Sequence, residues 1–119
     1  MSKHFALFTL GFVAFIGACG GAAVPNERVT SATAAVRAAE VGGAPSNPEA
    51  SLVLKRANDG LARAKALIAD GDNEAADFEL QRAEADAELA LNLAREAYAK
   101  AEAQAAIDLV TAYKKQSSQ

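Results

Sequence analysis

Along the second half of the chain the apolar positions fall on a single seam. Ala76, Leu80, Ala83, Ala87, Ala90, Ala94, Ala97 and Ala101 follow one another at 4,3 spacing without a break, as the a and d positions of a coiled coil do. From Asp72 to Tyr113 the 42 residues include 14 alanines and neither glycine nor proline. That composition predicts one continuous helix about 63 Å long. Past Ala101 the strict spacing would place Gln104 and Asp108 on the seam, whereas Ala105, Leu109 and Ala112 lie one position along. A shift of this kind is a stutter, a local change of supercoil.

A matching stripe precedes it: Leu54, Ala57, Leu61, Ala64 and Ile68, again at 3,4 spacing. Punctuation frames this second helix. Asn47 suits an N-cap, Pro48 the first helical position and Glu49 the positive end of the helix dipole. At the far end Gly71 can adopt the left-handed conformation that closes a helix, and Asp72 caps the next helix at once, so the two read as a tight αα-hairpin turn. The predicted fold is all-α: a long antiparallel hairpin of about residues 48–70 and 72–114. Leu54, Leu61 and Ile68 fill the space left by facing alanines, with axes near 8 Å apart. A buried leucine contributes about 1.5–3 kcal/mol and a methyl group nearer 0.8 kcal/mol, so the core is thin and a lone monomer is marginally stable.

A shorter helix is predicted before the hairpin, from a Thr30 or Ser31 cap through about Val41, ended by Gly42, Gly43 and Pro45. Helix two, about 23 residues, covers only half of helix three and leaves Ala97, Ala101, Ala105, Leu109 and Ala112 without a partner. The first helix, with Ala32, Val36 and Ala39, has two compatible placements. It can lie along the distal half, giving an elongated hairpin with one broken arm, or fold back into a compact three-helix bundle that leaves the distal half bare.

The first nineteen residues show a different pattern. Met1 and Lys3 form a short positive region, Phe5 to Ala18 an apolar run, and Ile16, Gly17 and Ala18 stand before Cys19, the only cysteine of the chain. This is how a secretory leader is recognised, and a lone thiol in an exported protein has no intramolecular disulfide to make. Residues 1–18 read as a lipoprotein signal peptide cleaved before Cys19. Acyl groups on Cys19 then fasten the mature chain to a membrane, since a 14-residue helix spans about 21 Å against a hydrocarbon core of about 30 Å. Gly20 stands next in place of an aspartate, which resembles an outer-membrane address in a cell with two membranes. Residues 19–29, with Gly20, Gly21 and Pro25, read as lipidated terminus and flexible tether; residues 30–115 as the helical domain; residues 116–119 as a polar tail.

Charge and side-chain inventory narrow the function. The chain carries a net charge of −3, from 12 basic and 15 acidic residues, and loses Lys3 with the leader; such a balance lacks the basic stripe of a nucleic-acid footprint. The only histidine, His4, leaves with the leader too, so no free imidazole or thiol remains for nucleophilic, general-base or soft-metal chemistry. Catalysis and a resident metal or cofactor are therefore not expected, apart from the covalent lipid. Asp77, Glu84 and Glu88 are the carboxylates nearest to a divalent-cation set; a solvated charged face explains them as well. Glu96 and Lys100 form an i,i+4 pair in the favourable orientation. Phe78, Tyr98 and Tyr113 are too sparse for a stacking platform and read as core or rim packing.

The lipobox Ile16 to Cys19, the Asn47–Pro48 start, the run Ala57, Leu61, Ala64, the turn Gly71–Asp72 and the series Ala83, Asp86, Ala87, Ala90, Ala94 resemble a family. It comprises small alanine-rich bacterial lipoproteins with an uncharacterised helical domain, which longer members carry beside an OmpA-like peptidoglycan-binding domain. The resemblance spans roughly residues 30–105 and implies location and fold, with little chemistry. The chain also resembles, in its lipid anchor and long alanine-rich helix, the small trimeric outer-membrane lipoprotein tied to peptidoglycan through a C-terminal lysine. Here the last residues are Gln116, Ser117, Ser118 and Gln119, so no covalent peptidoglycan link is expected. These features predict a lipid-anchored envelope lipoprotein on the periplasmic face of the outer membrane, a non-enzymatic structural or interaction module. Its expected partners are the membrane, and a second copy of itself or another envelope protein. A periplasmic binding module for a small ligand or divalent cation is the alternative.

Overall fold

A computed structural model of the chain describes residues 22–118. Three helices account for nearly all of them: α1 Asn26–Val41, α2 Pro48–Ala69 and α3 Asn73–Ser117, with a 3-10 turn at Ala44–Ser46 between the first two. No strand occurs among the described residues. At 45 residues α3 is about 67 Å long.

The hairpin forms where local chemistry demands it. The Asn47 side chain accepts the Ala50 N–H at 2.8 Å, with Pro48 at the first helical position. The closing turn is a complete Schellman motif: Gly71 sits at φ +82°, its N–H donates to the Ile68 carbonyl at 3.1 Å, and the Asp72 N–H donates to Leu67 at 2.9 Å. Asp72 then accepts the Ala75 N–H at 3.2 Å and opens α3. Between the two helices Arg63 pairs with Glu79 at 2.9 Å and Arg56 with Asp86 at 2.6 Å, which fixes them as antiparallel. Mid-way, Gly60 lets the helices close in: a Cβ there would lie 3.3 Å from the Ala83 Cβ.

α1 starts at Asn26, earlier than the cap expected at Thr30 or Ser31, and residues 26–29 of the expected tether are helical. The hydroxyls make other bonds: Thr30 donates to the Asn26 carbonyl at 3.0 Å, Thr33 to Val29 at 2.6 Å, and Ser31 to the Glu84 carboxylate. Bonding back to the i−4 carbonyl leaves no hydroxyl to cap an N-terminus. At its other end α1 closes on Gly42, Gly43 comes next at φ +93°, and the 3-10 turn reverses the chain. α1 therefore folds back antiparallel to α2 and parallel to α3, with Arg28 at Asp77 (3.3 Å) and at Glu84 (3.9 Å). Of the two placements open to it, the compact bundle is the one adopted; the distal half of α3 is not covered by α1.

The core runs through Ala32, Val36 and Ala39 of α1, Ala50, Val53, Leu54, Ala57, Leu61 and Ala64 of α2, and Leu80 to Ala94 of α3. Leu80 is the largest side chain with no exposure at all. Beyond Ala97 every described residue of α3 is exposed, so one helix leaves the bundle as a free arm of about 20 residues. The arm does not repeat the nucleation cost, because it propagates from a packed helix, and it gains from Glu96–Lys100 (2.6 Å) and Gln104–Asp108 (2.8 Å). Stability should nevertheless be graded along α3. Amide exchange is expected to be slow from Ala76 to Ala94 and faster at every step from Tyr98 to Ser117; uniform protection across the helix would show that the arm is covered in solution.

Candidate interaction surface

The seam divides into two parts. Ala76, Leu80, Ala83, Ala87, Ala90 and Ala94 are buried, facing the buried Leu54 and Leu61 of α2; Ile68 and Ala97 are half-buried, and Ala101 is exposed. Ile68 sits in the last turn of α2, where the chain leaves for the Schellman turn and α3 has only just begun. The other residues assigned from sequence to cleavage, sorting and lipidation, Ile16, Gly17, Ala18, Cys19 and Gly20, lie outside the described residues.

On the free arm the apolar positions keep their phase. Tyr98, Ala101, Ala105, Leu109, Ala112 and Tyr113 share one side at about 100° per residue, with Glu102 as the charge among them. Leu109 is 58% exposed and Tyr98 67%. An adjoining flank carries Lys100, Gln104, Asp108, Thr111 and Lys115, and Ile107 and Val110 stand exposed on the far side. Gln104 and Asp108, which the unshifted seam would have buried, bond to each other in solvent. Where the arm leaves the bundle its apolar side runs into a cleft of about 410 Å³, lined by Gly42, Gly43, Ser46 and Asn47 on one wall and Ala94, Arg95, Ala97 and Tyr98 on the other. That volume falls in the range of ligand pockets, but the cleft is open. By sequence Gly42 and Gly43 read only as a helix stop, and the cleft was missed; its signal is the small residues facing Ala94 and Ala97.

Phe78, Tyr98 and Tyr113 are all well exposed, contrary to the packing expected of them. Phe78 projects away from both neighbouring helices, and the tyrosines stand on the uncovered arm. Two of the three carboxylates considered for a cation, Asp77 and Glu84, both face Arg28, and Glu84 also accepts the Ser31 hydroxyl, while Glu88 is exposed. No cluster of three or more His, Cys, Asp or Glu side chains able to hold a metal ion occurs among the described residues. The hydrogen bond and charge of Lys100 hold the Glu96 carboxyl below the ordinary carboxylate range and raise the Lys100 ammonium. The support this pair gives the arm is present above the usual carboxylate pKa and is lost as pH falls through the lowered one. No described helix is long and apolar enough to cross a membrane.

A family model described as a domain of unknown function, DUF4398, matches residues 27–106. The chain belongs to this family. The matched region begins with α1 and takes in the whole three-helix bundle, the cleft and the first part of the arm; Leu109, Val110 and Tyr113 fall beyond it. No curated protein and no solved structure matches the chain.

Proposed function

We propose that this member of the family is a lipid-anchored envelope lipoprotein that works as a non-enzymatic interaction module. The bundle holds α3 rigid at one end, and the arm offers its apolar side to a partner. The observation that carries the reading is the continuation of α3 for about 20 residues past its last buried turn, with Tyr98, Leu109 and Tyr113 exposed on one side. A contiguous apolar helix face of this kind marks a recognition surface, read through anchors at i, i+3, i+4 and i+7. The lipobox pattern ending at Cys19 supports a position at the membrane surface, and the adjoining Gly20 supports the outer membrane. The face fits either a second copy of the chain or another envelope protein.

Ala105→Lys and Leu109→Lys test the surface directly. Both residues are exposed, so each variant should keep the thermal stability of the bundle within about 0.5 kcal/mol. Each should also abolish the concentration-dependent assembly seen by sedimentation, or, where the protein sediments as a monomer, the crosslinks formed in cells from a photoreactive residue at Ala101. Crosslinking and assembly that survive both lysines would remove the arm from the function.

A further inference from the structure

The lipid-anchor reading leaves open which end of the molecule meets the membrane, and the packing of the first described residues answers it. The Asn73 side-chain amide donates to the Ala22 carbonyl at 2.7 Å, one residue into α3 and beside the hairpin turn. From Ala22 the chain enters α1 at Asn26, and Arg28 meets Asp77 one turn further along α3. Ala22 therefore lies at the turn end of the bundle, away from the 3-10 corner and the arm. Only Gly20 and Gly21 lie between it and Cys19, and the three steps of chain from one to the other reach about 11 Å at most. Whatever path that segment takes, a lipid on Cys19 keeps the turn end near the bilayer.

We propose that the turn end, around Gly71, Asp72 and Asn73, is the face the protein presents to a zwitterionic lipid surface, with α3 directed away from it. This rests on the lipid-anchor reading and adds the orientation and the partner's chemistry. The charge of that end selects the lipid. Asp70, Asp72 and Glu74 stand there exposed, with Glu27 nearby at the start of α1. Arg28 beside them is already paired with Asp77. A leaflet rich in anionic lipid would repel such a face, and zwitterionic headgroups would not. The arm does not suit lying in the interface. Helices that do so carry a strongly basic polar face, whereas the arm's polar flank mixes Lys100 and Lys115 with Asp108, and its apolar side is interrupted by Glu102. With the turn at the bilayer, the apolar side of the arm is carried several nanometres outward, since Glu74 and Ser117 are about 65 Å apart along the helix.

The test uses the full, lipidated protein on phosphatidylcholine vesicles, with a fluorophore at either Glu74→Cys or Ser117→Cys and an acceptor on the lipid headgroup. Energy transfer from position 74 should be at least about fivefold that from position 117, given their separation along α3. Replacing a third of the lipid with phosphatidylglycerol at low salt should lower transfer from 74. Equal transfer from both positions on protein that floats with the vesicles would overturn the orientation and leave the anchor standing. Transfer from 74 that rises with anionic lipid would overturn the lipid chemistry. Protein that stays behind when the vesicles float would overturn the anchor, and the orientation with it.

Discussion

Replacing Leu80 with alanine is expected to cost the bundle about 3–5 kcal/mol, the upper part of the range for buried leucines. The reason is the company it keeps. Leu80 is fully buried at the level where Arg63 meets Glu79 and Ser31 meets Glu84, and most of the core around this seam is alanine. Alanine has no rotamer to change, so its neighbours cannot fill the space, and the cavity term adds to the lost transfer energy almost in full. In a small domain whose total stability is of the order of 5–15 kcal/mol, that loss brings the folded population close to failure. Urea titration monitored by circular dichroism should show a lower midpoint at an unchanged slope, the mark of a change in stability rather than in compactness. Leu109→Ala on the arm is the internal control and should stay within about 0.5 kcal/mol. A loss below about 1 kcal/mol at Leu80 would mean that the three helices do not pack as one core.

The contrast between these two leucines shows what the sequence can and cannot reveal. Both lie on the apolar side of α3, and by periodicity alone they are equivalent. Asn47–Pro48 and Gly71–Asp72 were readable because a cap and a Schellman turn are decided within four or five residues, where backbone donors must find acceptors. The hairpin register came from matching stripes. The position of α1 did not, because Ala32, Val36 and Ala39 at 4,3 spacing fit the alanine seam equally well at either end. The decision lay in Gly43, whose left-handed backbone begins the reversal, and in Arg28, whose partners Asp77 and Glu84 are about 50 residues away in sequence. Non-local ion pairs leave no periodic trace. Gly60 carried a misleading sign as well: glycine in a helix interior normally costs about 1 kcal/mol, but here it permits the close approach to Ala83.

The bare arm was foreseeable from length, since α2 has 22 residues and α3 has 45. Its exposure links the fold to the proposed function. A helix needs only one covered stretch to hold its direction, and the bundle supplies that along Ala76 to Ala94. The residues beyond Ala97 need not be buried for stability, so the apolar ones among them are free for recognition. This division predicts that core substitutions such as Leu80→Ala lower abundance, whereas arm substitutions leave the amount of protein unchanged and alter only its associations.

Under the proposed anchor, removing Cys19 should move nearly all of the protein out of the membrane fraction. The expectation is strong because the described chain offers little other membrane affinity: none of its helices can cross a bilayer, and its turn end is acidic. Each buried methylene is worth about 0.8 kcal/mol, yet a single acyl chain gives only reversible attachment, so stable anchoring takes two. All of the proposed lipid is held on Cys19, and Cys19→Ala removes the thiol that carries it. That variant alone is ambiguous, because an uncleaved leader could itself hold the protein to the membrane through Phe5 to Ala18. A second variant resolves it: residues 1–19 replaced by an ordinary cleavable secretory leader, so that export proceeds and the mature chain begins at Gly20. It should be exported, keep its helicity, and partition to the aqueous side in detergent phase separation, while the parent chain partitions to the detergent side and shows an acylated terminus by mass spectrometry. Detergent partitioning that persists in the leader-swapped protein, or a parent terminus without acyl groups, would sink the anchor.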